Sequence, residues 1–260
     1  TVTLGDGTRQ PLDLGRLELL VNTACEDLTG VNAQAIIEET LKNLYDGVQE
    51  SDLATTMVMC ARVHIEQEPN YTYVTARLLL DQLRSEALGF LEIADKATQA
   101  DMAEFYPQAL VAYLKRGVEL ELLHPDLLQY DLVRIADAIE PMRDFQFTYL
   151  GLQTLYDRYF IHSQEVRFEL PQLFFMRVAM GLAMNETDKE ARAIEFYQLL
   201  SSFDYMASTP TLFNAGTLRP QLSSCYLTTV PDDLYGIYDA IRDNAMLSKW
   251  AGGLGNDWTP

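Results

Sequence analysis

Cysteine is scarce in this sequence: Cys25, Cys60 and Cys225 are spread over 260 positions. That spacing excludes a disulfide framework and offers no CxxC pair, and it suits a reducing, cytoplasmic location. Histidine is equally scarce. His64, His124 and His162 stand apart without a partner at metal-ligand spacing, so a surface or packing role outweighs ligation for each, and no metal site is expected. No apolar run approaches the roughly 20 residues that cross a bilayer, and no signal peptide is visible. Positive charge is the other shortage, with 19 basic against 38 acidic residues and a net charge of −19. Such a field repels phosphate backbones and argues against sequence-independent nucleic-acid binding. A nucleotide can still be held where backbone donors and helix N-termini face its phosphates. Repeats, low-complexity tracts and linker-like Pro/Ser runs are absent too.

What is present is a chain of ordinary hydrophobic content, 48%, long enough for one large or two modest domains. It begins at Thr1 rather than Met and stops within Gly-Gly-Leu-Gly-Asn-Asp-Trp-Thr-Pro, which reads as a segment of something longer. Val2-Thr3-Leu4 and Asp6-Gly7-Thr8 predict a hairpin turned on Asp-Gly. Leu17, Leu20, Val21, Ala24, Cys25 and Leu28 recur at helical spacing. Further helices are predicted over Ala33–Tyr45, from a Ser51 or Asp52 cap to His64, and from Tyr71 to Arg84 with Gly89 just beyond. These elements make a first unit over residues 1–89. Residues 90–215 also read as helical. Phe174, Met176, Val178, Ala179, Met180 and Leu182 are too dense for one stripe and imply a helix buried on most sides. The six aromatics between Phe145 and Phe160 are expected to pack against it, and Arg167–Glu169 reads as a short strand or turn. From residue 216 the character changes. Gln221–Val230 reads as a strand, and Asp232–Trp250 as an amphipathic helix with Leu234, Ile237, Tyr238, Ile241 and Ala245 on one face. Asp232 and Asp233 open that helix and Lys249 closes it, as the macrodipole favours. Gly252, Gly253 and Gly255 then break it. The chain is therefore mainly α, with a strand–helix unit at the end that opens an α/β sheet or barrel.

Cys25 and Cys60 sit among apolar residues on helices and read as small hydrophobes. For Cys225, between Ser224 and Tyr226, spacing alone favours a core cysteine. Alternation puts Ser223, Cys225 and Leu227 on one face of the strand and Ser224, Tyr226 and Thr228 on the other.

Four strings run in order: Ser-Thr-Pro-Thr-Leu-Phe-Asn-Ala-Gly-Thr (208–217), Gln-Leu-Ser-Ser-Cys-Tyr-Leu (221–227), Asp-Asp-Leu-Tyr-Gly-Ile-Tyr-Asp (232–239) and Ser-Lys-Trp-Ala-Gly-Gly-Leu-Gly (248–255). Singly each is weak; in this order they closely resemble the large, catalytic subunit of class I ribonucleoside-diphosphate reductases. The resemblance implies that residues 216–260 begin a ten-stranded α/β barrel whose first strand carries Cys225. In that family this thiol, with a second cysteine far downstream, reduces the ribose 2′ position and ends as a disulfide, which requires two thiols within bonding reach. A third, downstream cysteine becomes a thiyl radical through a small radical-generating partner subunit that carries the metal-radical cofactor; thioredoxin or glutaredoxin restores the thiols. Thr209 and Ser224 match substrate-binding positions, and Gly252 and Gly253 match a glycine turn where backbone amides approach an anion. For Thr209, a turn residue held by Pro210 is an equally good reading. Asp232, Asp233 and Leu234 match the start of the helix that packs on its twin in the homodimer and reads the base of a specificity effector. Capping is compatible with that role. The effectors implied are ATP, dATP, dTTP and dGTP, and the substrate is a ribonucleoside diphosphate.

The first unit resembles the family's ATP-cone through the Asp-Gly hairpin, Tyr45-Asp46-Gly47 and Tyr71-x-Tyr73-x-x-x-Arg77. It departs where working cones carry a basic pair before the Asp-Gly turn: here stand Leu4-Gly5, and Ser85 stands where a late lysine is expected. Without those cations a triphosphate lacks its main attraction, so a degenerate cone, behind a working copy upstream, is expected. Two other readings remain open: a non-catalytic allosteric and dimerisation module, and an adenosylcobalamin-dependent or anaerobic reductase. The Leu-Ser-Ser-Cys and Ala-Gly-Gly-Leu-Gly strings fit class I better.

Overall fold

A computed structural model describes residues 1–249 and 252–259. In chain order it contains β1 (Val2–Thr3), β2 (Arg9–Gln10), α1 (Leu14–Cys25), α2 (Ala33–Asn43), β3 (Val48–Gln49), α3 (Glu50–Arg62), α4 (Tyr71–Phe90) and α5 (Met102–Glu119). There follow α6 (Leu132–Asp137), α7 (Tyr149–Arg158), the pair β4 (His162–Ser163) and β5 (Val166–Arg167), α8 (Pro171–Ala183) and α9 (Lys189–Ser201). The chain then runs through α10 (Thr209–Asn214), β6 (Cys225–Thr229), α11 (Leu234–Lys249) and β7 (Gly253–Asp257). Two compact units emerge, one of residues 1–113 with 140–172, the other of residues 114–139 with 173–260.

In the first unit β1 and β2 pair antiparallel around Asp6-Gly7, where Gly7 takes φ +84°. The Asp6 carboxylate accepts from the Thr8 amide at 2.8 Å, the usual way an Asx side chain fixes a tight turn. A third strand, β3, joins β1 in parallel, with Val2 opposite Val48. Asp13 and Asn32 cap α1 and α2 by accepting from the amides of Arg16 and Ala35. Helix α3 departs from the expected start: it opens at Glu50 behind Gln49 with no side-chain cap, and the carbonyls of Ser51 and Asp52 accept from the Thr55 and Thr56 hydroxyls. Helix α4 also outruns expectation, because Gly89 lies within its last turn; the buried Ala87 and Leu88 reward its continuation. It is the axis of this unit and packs against α1, α3 and α7. The aromatic segment 145–160 thus belongs with α4. Its Tyr149 amide donates to Thr72, and Phe145 stacks under the Arg77 guanidinium at 4.2 Å. Arg77 also donates to the carbonyls of Ala24 and Glu26, closing the end of α1.

A buried polar knot locks the 3-10 turn at Pro141–Gln146 into this unit. The Asp144 carboxylate accepts from Arg84 at 3.0 Å and from Tyr106 and Gln172 at 2.9 Å each. Burial pushes the Asp144 carboxyl upward and the charged and polar donors oppose it.

In the second unit every residue of α8 from 173 to 180 is buried, and the two before them, 171 and 172, are buried as well. That is the all-round burial its dense apolar sequence predicts; towards its end Gly181 is half-buried and Leu182 exposed. Helix α8 meets the chain at residues 215–216 at backbone distance. A Cβ on Gly181 would stand 2.1 Å from the Gly216 amide nitrogen, and Gly216 itself takes φ +75°.

Candidate functional site

The site is built on β6 and its lead-in. Strand β6 pairs in parallel with β7 over five residues, Cys225 opposite Gly253 and Thr229 opposite Asp257, with α11 as the connection. This is a βαβ unit. The sequence reading ends in a glycine-rich loop, whereas Gly253–Asp257 forms a second strand. Glycine is a poor strand former but is required at 253, where a Cβ would lie 2.9 Å from the Ser224 carbonyl oxygen; at 255 it would meet only the end of the exposed Leu227 side chain, Cδ2 at 2.9 Å.

Cys225 opens β6 and is exposed, as are Leu227 (91%) and Thr229; Tyr226 and Thr228 on the other face are half-buried. The alternation expected from the sequence is present, but the face that carries the thiol is not a core face. Ser224 is exposed, its hydroxyl lies 3.8 Å from the Cys225 sulfur, and its carbonyl accepts from the Gly253 amide at 2.6 Å. Gly252 donates its amide to Leu247 and lies where a Cβ would touch the Tyr226 ring at 3.0 Å. Cys225, Ser224, Gly252 and Gly253 are therefore brought together. Thr209 is the exposed first residue of the short α10.

Asp232, Asp233 and Leu234 lie beyond the other end of β6, a strand length of roughly 15 Å from Cys225. Asp233 caps α11, its carboxylate accepting from the Gly236 amide at 2.9 Å. Asp232 is exposed. Leu234, Tyr238 and Ile241 are 67%, 65% and 50% exposed and Ala245 is exposed too, while Ile237 is half-buried, so the apolar stripe of α11 is largely open to solvent. The expected helix end, Trp250, lies outside the described residues.

Thr211 and Asn214 belong to the site without being marked by its motifs: their side chains donate to the carbonyls of Leu222 and Gln221 at 3.0 and 2.7 Å. Their signal was two polar groups at i and i+3 of a short helix, just before the cysteine strand. The other thiols differ from Cys225: Cys60 is buried, and burial pushes the half-buried Cys25 thiol up to about 11 against the pull of Arg77. No group of three His, Cys, Asp or Glu side chains among the described residues is arranged to hold a metal ion. No described helix is long and apolar enough to cross a membrane.

The first unit holds a cleft of about 810 Å³ below the β1–β2 hairpin. Asp13, Glu50, Asp81, Glu86 and Asp95 line it, against two cations, Arg16 and Lys96. Both cations are engaged, Arg16 with Asp81 at 2.8 Å and Lys96 with Glu50 at 2.5 Å. Burial pushes the Asp81 carboxyl up, and the Arg16 guanidinium opposes this.

Three family models match in chain order: the ATP cone domain over residues 1–86, the ribonucleotide reductase all-alpha domain over 145–220 and the ribonucleotide reductase barrel domain over 223–260. A ribonucleoside-diphosphate reductase subunit alpha of Chlamydia trachomatis is 46% identical over 98% of this chain and 24% of its own length. The subunit alpha of Helicobacter pylori is 34% identical over 100% of this chain and 32% of its own length, and the large subunit of Danio rerio 30% over 96% and 31%. The chain thus spans about a quarter to a third of the length of these curated relatives. With a cone fold, a helical body and the opening of a barrel in the order of all three domain models, the chain belongs to the ribonucleotide reductase large-subunit family.

Proposed function

We propose that this chain is the part of a class I ribonucleoside-diphosphate reductase that supplies one of the two reducing thiols, Cys225, together with part of the substrate site. The carrying observation is an exposed cysteine at the head of a parallel barrel strand, flanked by Ser224 and the Gly252-Gly253 turn. In this reading the ribose 2′ hydroxyl leaves as water and a hydrogen takes its place. Cys225 and a second cysteine of the complete subunit give up their hydrogens and become one disulfide. Thr209, Ser224, Gly252 and Gly253 face the substrate diphosphate and ribose. A thiyl radical on another cysteine, raised by the small subunit with its metal-radical cofactor, starts the reaction, and thioredoxin or glutaredoxin reopens the disulfide in the cytoplasm. In this reading the family's domains are 1–89, 90–215 and 216–260, a division by motif that cuts across the two compact units.

The start of α11, with Asp232, Asp233 and Leu234, forms half of a specificity site for ATP, dATP, dTTP or dGTP, and the helix over 232–250 forms the homodimer. The outward apolar face of α11 favours this pairing. The cone at the N-terminus is a structural or interaction module: with five carboxylates around its cleft and both lining cations already paired, a triphosphate meets repulsion without a spare cation. The uncapped N-terminus of α3 does not change that balance, because Glu50 and Asp52 occupy its first turn.

Cys225→Ser in the complete subunit tests the reading. Multiple turnover should be lost while dimer formation and effector binding persist; wild-type turnover would remove Cys225 from the mechanism. Residues 1–260 alone should reduce no ribonucleotide, with any radical-generating partner.

A further inference from the structure

We propose that Thr211 and Asn214 are positioning residues for Cys225, and that the buried guanidinium of Arg177 holds the helix from which they act. The proposal rests on the reading of Cys225 as a reducing thiol. The segment that delivers Cys225, residues 218–224, contains no helix or strand of its own, so its path depends on what grips it. Two side chains of α10 do so: the Asn214 amide donates to the Gln221 carbonyl at 2.7 Å and the Thr211 hydroxyl to the Leu222 carbonyl at 3.0 Å. From the far side the Gly253 amide donates to the Ser224 carbonyl. Three of the four carbonyls immediately before Cys225 are therefore fixed, from two different elements.

Helix α10 is too short to stand alone, since its six residues barely pass the cost of nucleation. Its C-terminal carbonyls need donors. Arg177, fully buried in α8, supplies them: it donates to the Ala215 carbonyl at 2.7 Å and to the Leu212 carbonyl at 3.2 Å. A guanidinium also suits the negative end of a helix. Gly181 and Gly216 let the two segments approach closely enough for this reach. The chain of contacts runs from a rigid buried helix, through α10, to the backbone beside the thiol. A buried arginine that only served stability would not require the polar pair at 211 and 214.

The experiment uses the complete subunit with its radical partner and reads two quantities: kcat, and the rate at which iodoacetamide alkylates Cys225, followed on its own peptide by mass spectrometry. Thr211→Val removes the hydroxyl at equal size, and Asn214→Asp turns the donor into an acceptor facing a carbonyl. Each should lower kcat about tenfold and the pair roughly 10²-fold, the scale expected when a reacting group is misplaced by about an ångström. Alkylation of Cys225 should change in parallel, with that of Cys25 unmoved. Thr211→Ser, which keeps the hydroxyl, should restore both. If Asn214→Asp does not fold, the Thr211 variants decide. Wild-type kcat and alkylation in Thr211→Val, or equal impairment in Thr211→Ser, would overturn the proposal. Should Cys225→Ser sustain turnover, the redox reading fails, while the alkylation rates still decide whether these side chains set the thiol.

Discussion

Helix α8 is buried along almost its whole length, whereas α11 buries only Ala240. Both carry large apolar side chains, so hydrophobicity alone does not separate them. In α8 the apolar residues run without a polar face, and the one charged group among them, Arg177, is consumed by carbonyls at its own depth. In α11 the apolar residues form a stripe, Leu234, Tyr238 and Ile241, flanked by the charged residues Asp239, Arg242 and Asp243, and the stripe is left open. A helix buried on all sides completes a core; a striped helix whose stripe meets nothing is completed by another surface. The second unit thus contains a finished part and an unfinished part, and Cys225 lies at their junction.

The comparison can be broken at the finished end first. The largest expected effect lies in the other closed knot of the molecule: Arg84→Met leaves the Asp144 carboxylate buried without its cation and should cost about 3–5 kcal/mol in denaturant unfolding. Next comes Gly181→Ala, whose methyl must displace backbone at residues 215 and 216 and should cost at least about 1–3 kcal/mol. By contrast, Tyr238→Ser with Ile241→Ser on α11 should leave the stability of the chain within about 0.5 kcal/mol while weakening self-association in sedimentation experiments. A large loss of monomer stability would show that the stripe is part of the core after all. In the cone, photoreactive azido-ATP and azido-dATP should label no residue of the cleft; labelling within residues 1–86 would contradict its degeneracy.

The smallest effect is at Cys25. Its folded-state thiol is raised to about 11 by burial, above that of an unfolded chain. Below the unfolded value the thiol is protonated in both states and its contribution is fully present. As pH rises through the interval up to about 11 the unfolded chain ionises first, so stability is lost there. Cys25→Ala should flatten that alkaline decline in thermal melts, and an unchanged pH dependence would count against the shift.

Much of this architecture is legible in the sequence because it is local. Asp6-Gly7 gives the hairpin, the periodicity at Leu17, Val21 and Ala24 gives α1, and the density at 174–182 gives a buried helix. Elements that depend on distant partners are not legible. The pairing of β1 with β3 spans some 45 residues and involves two residues per strand. Strand β7 looks like a helix-breaking loop because Gly253 serves close approach to β6 rather than chain reversal. The aromatic segment around Tyr149 gives no sign that it packs along α4. For the site, alternation places the face of Cys225 correctly, but exposure depends on what covers β6, which no local pattern encodes. Thr211, Asn214 and Arg177 donate to backbone carbonyls, so the polar pair at i and i+3 is visible in the sequence while its partners are not.

The central claim, that Cys225 is a reducing thiol, is tested most directly by one turnover without external reductant. The complete subunit, pre-reduced and supplied with its radical partner and a ribonucleoside diphosphate, is quenched after a single cycle and its cysteine peptides are mapped. The account predicts Cys225 in a disulfide with another cysteine of the same subunit, in amounts matching the deoxyribonucleotide formed. Product formed with Cys225 still a free thiol would contradict it.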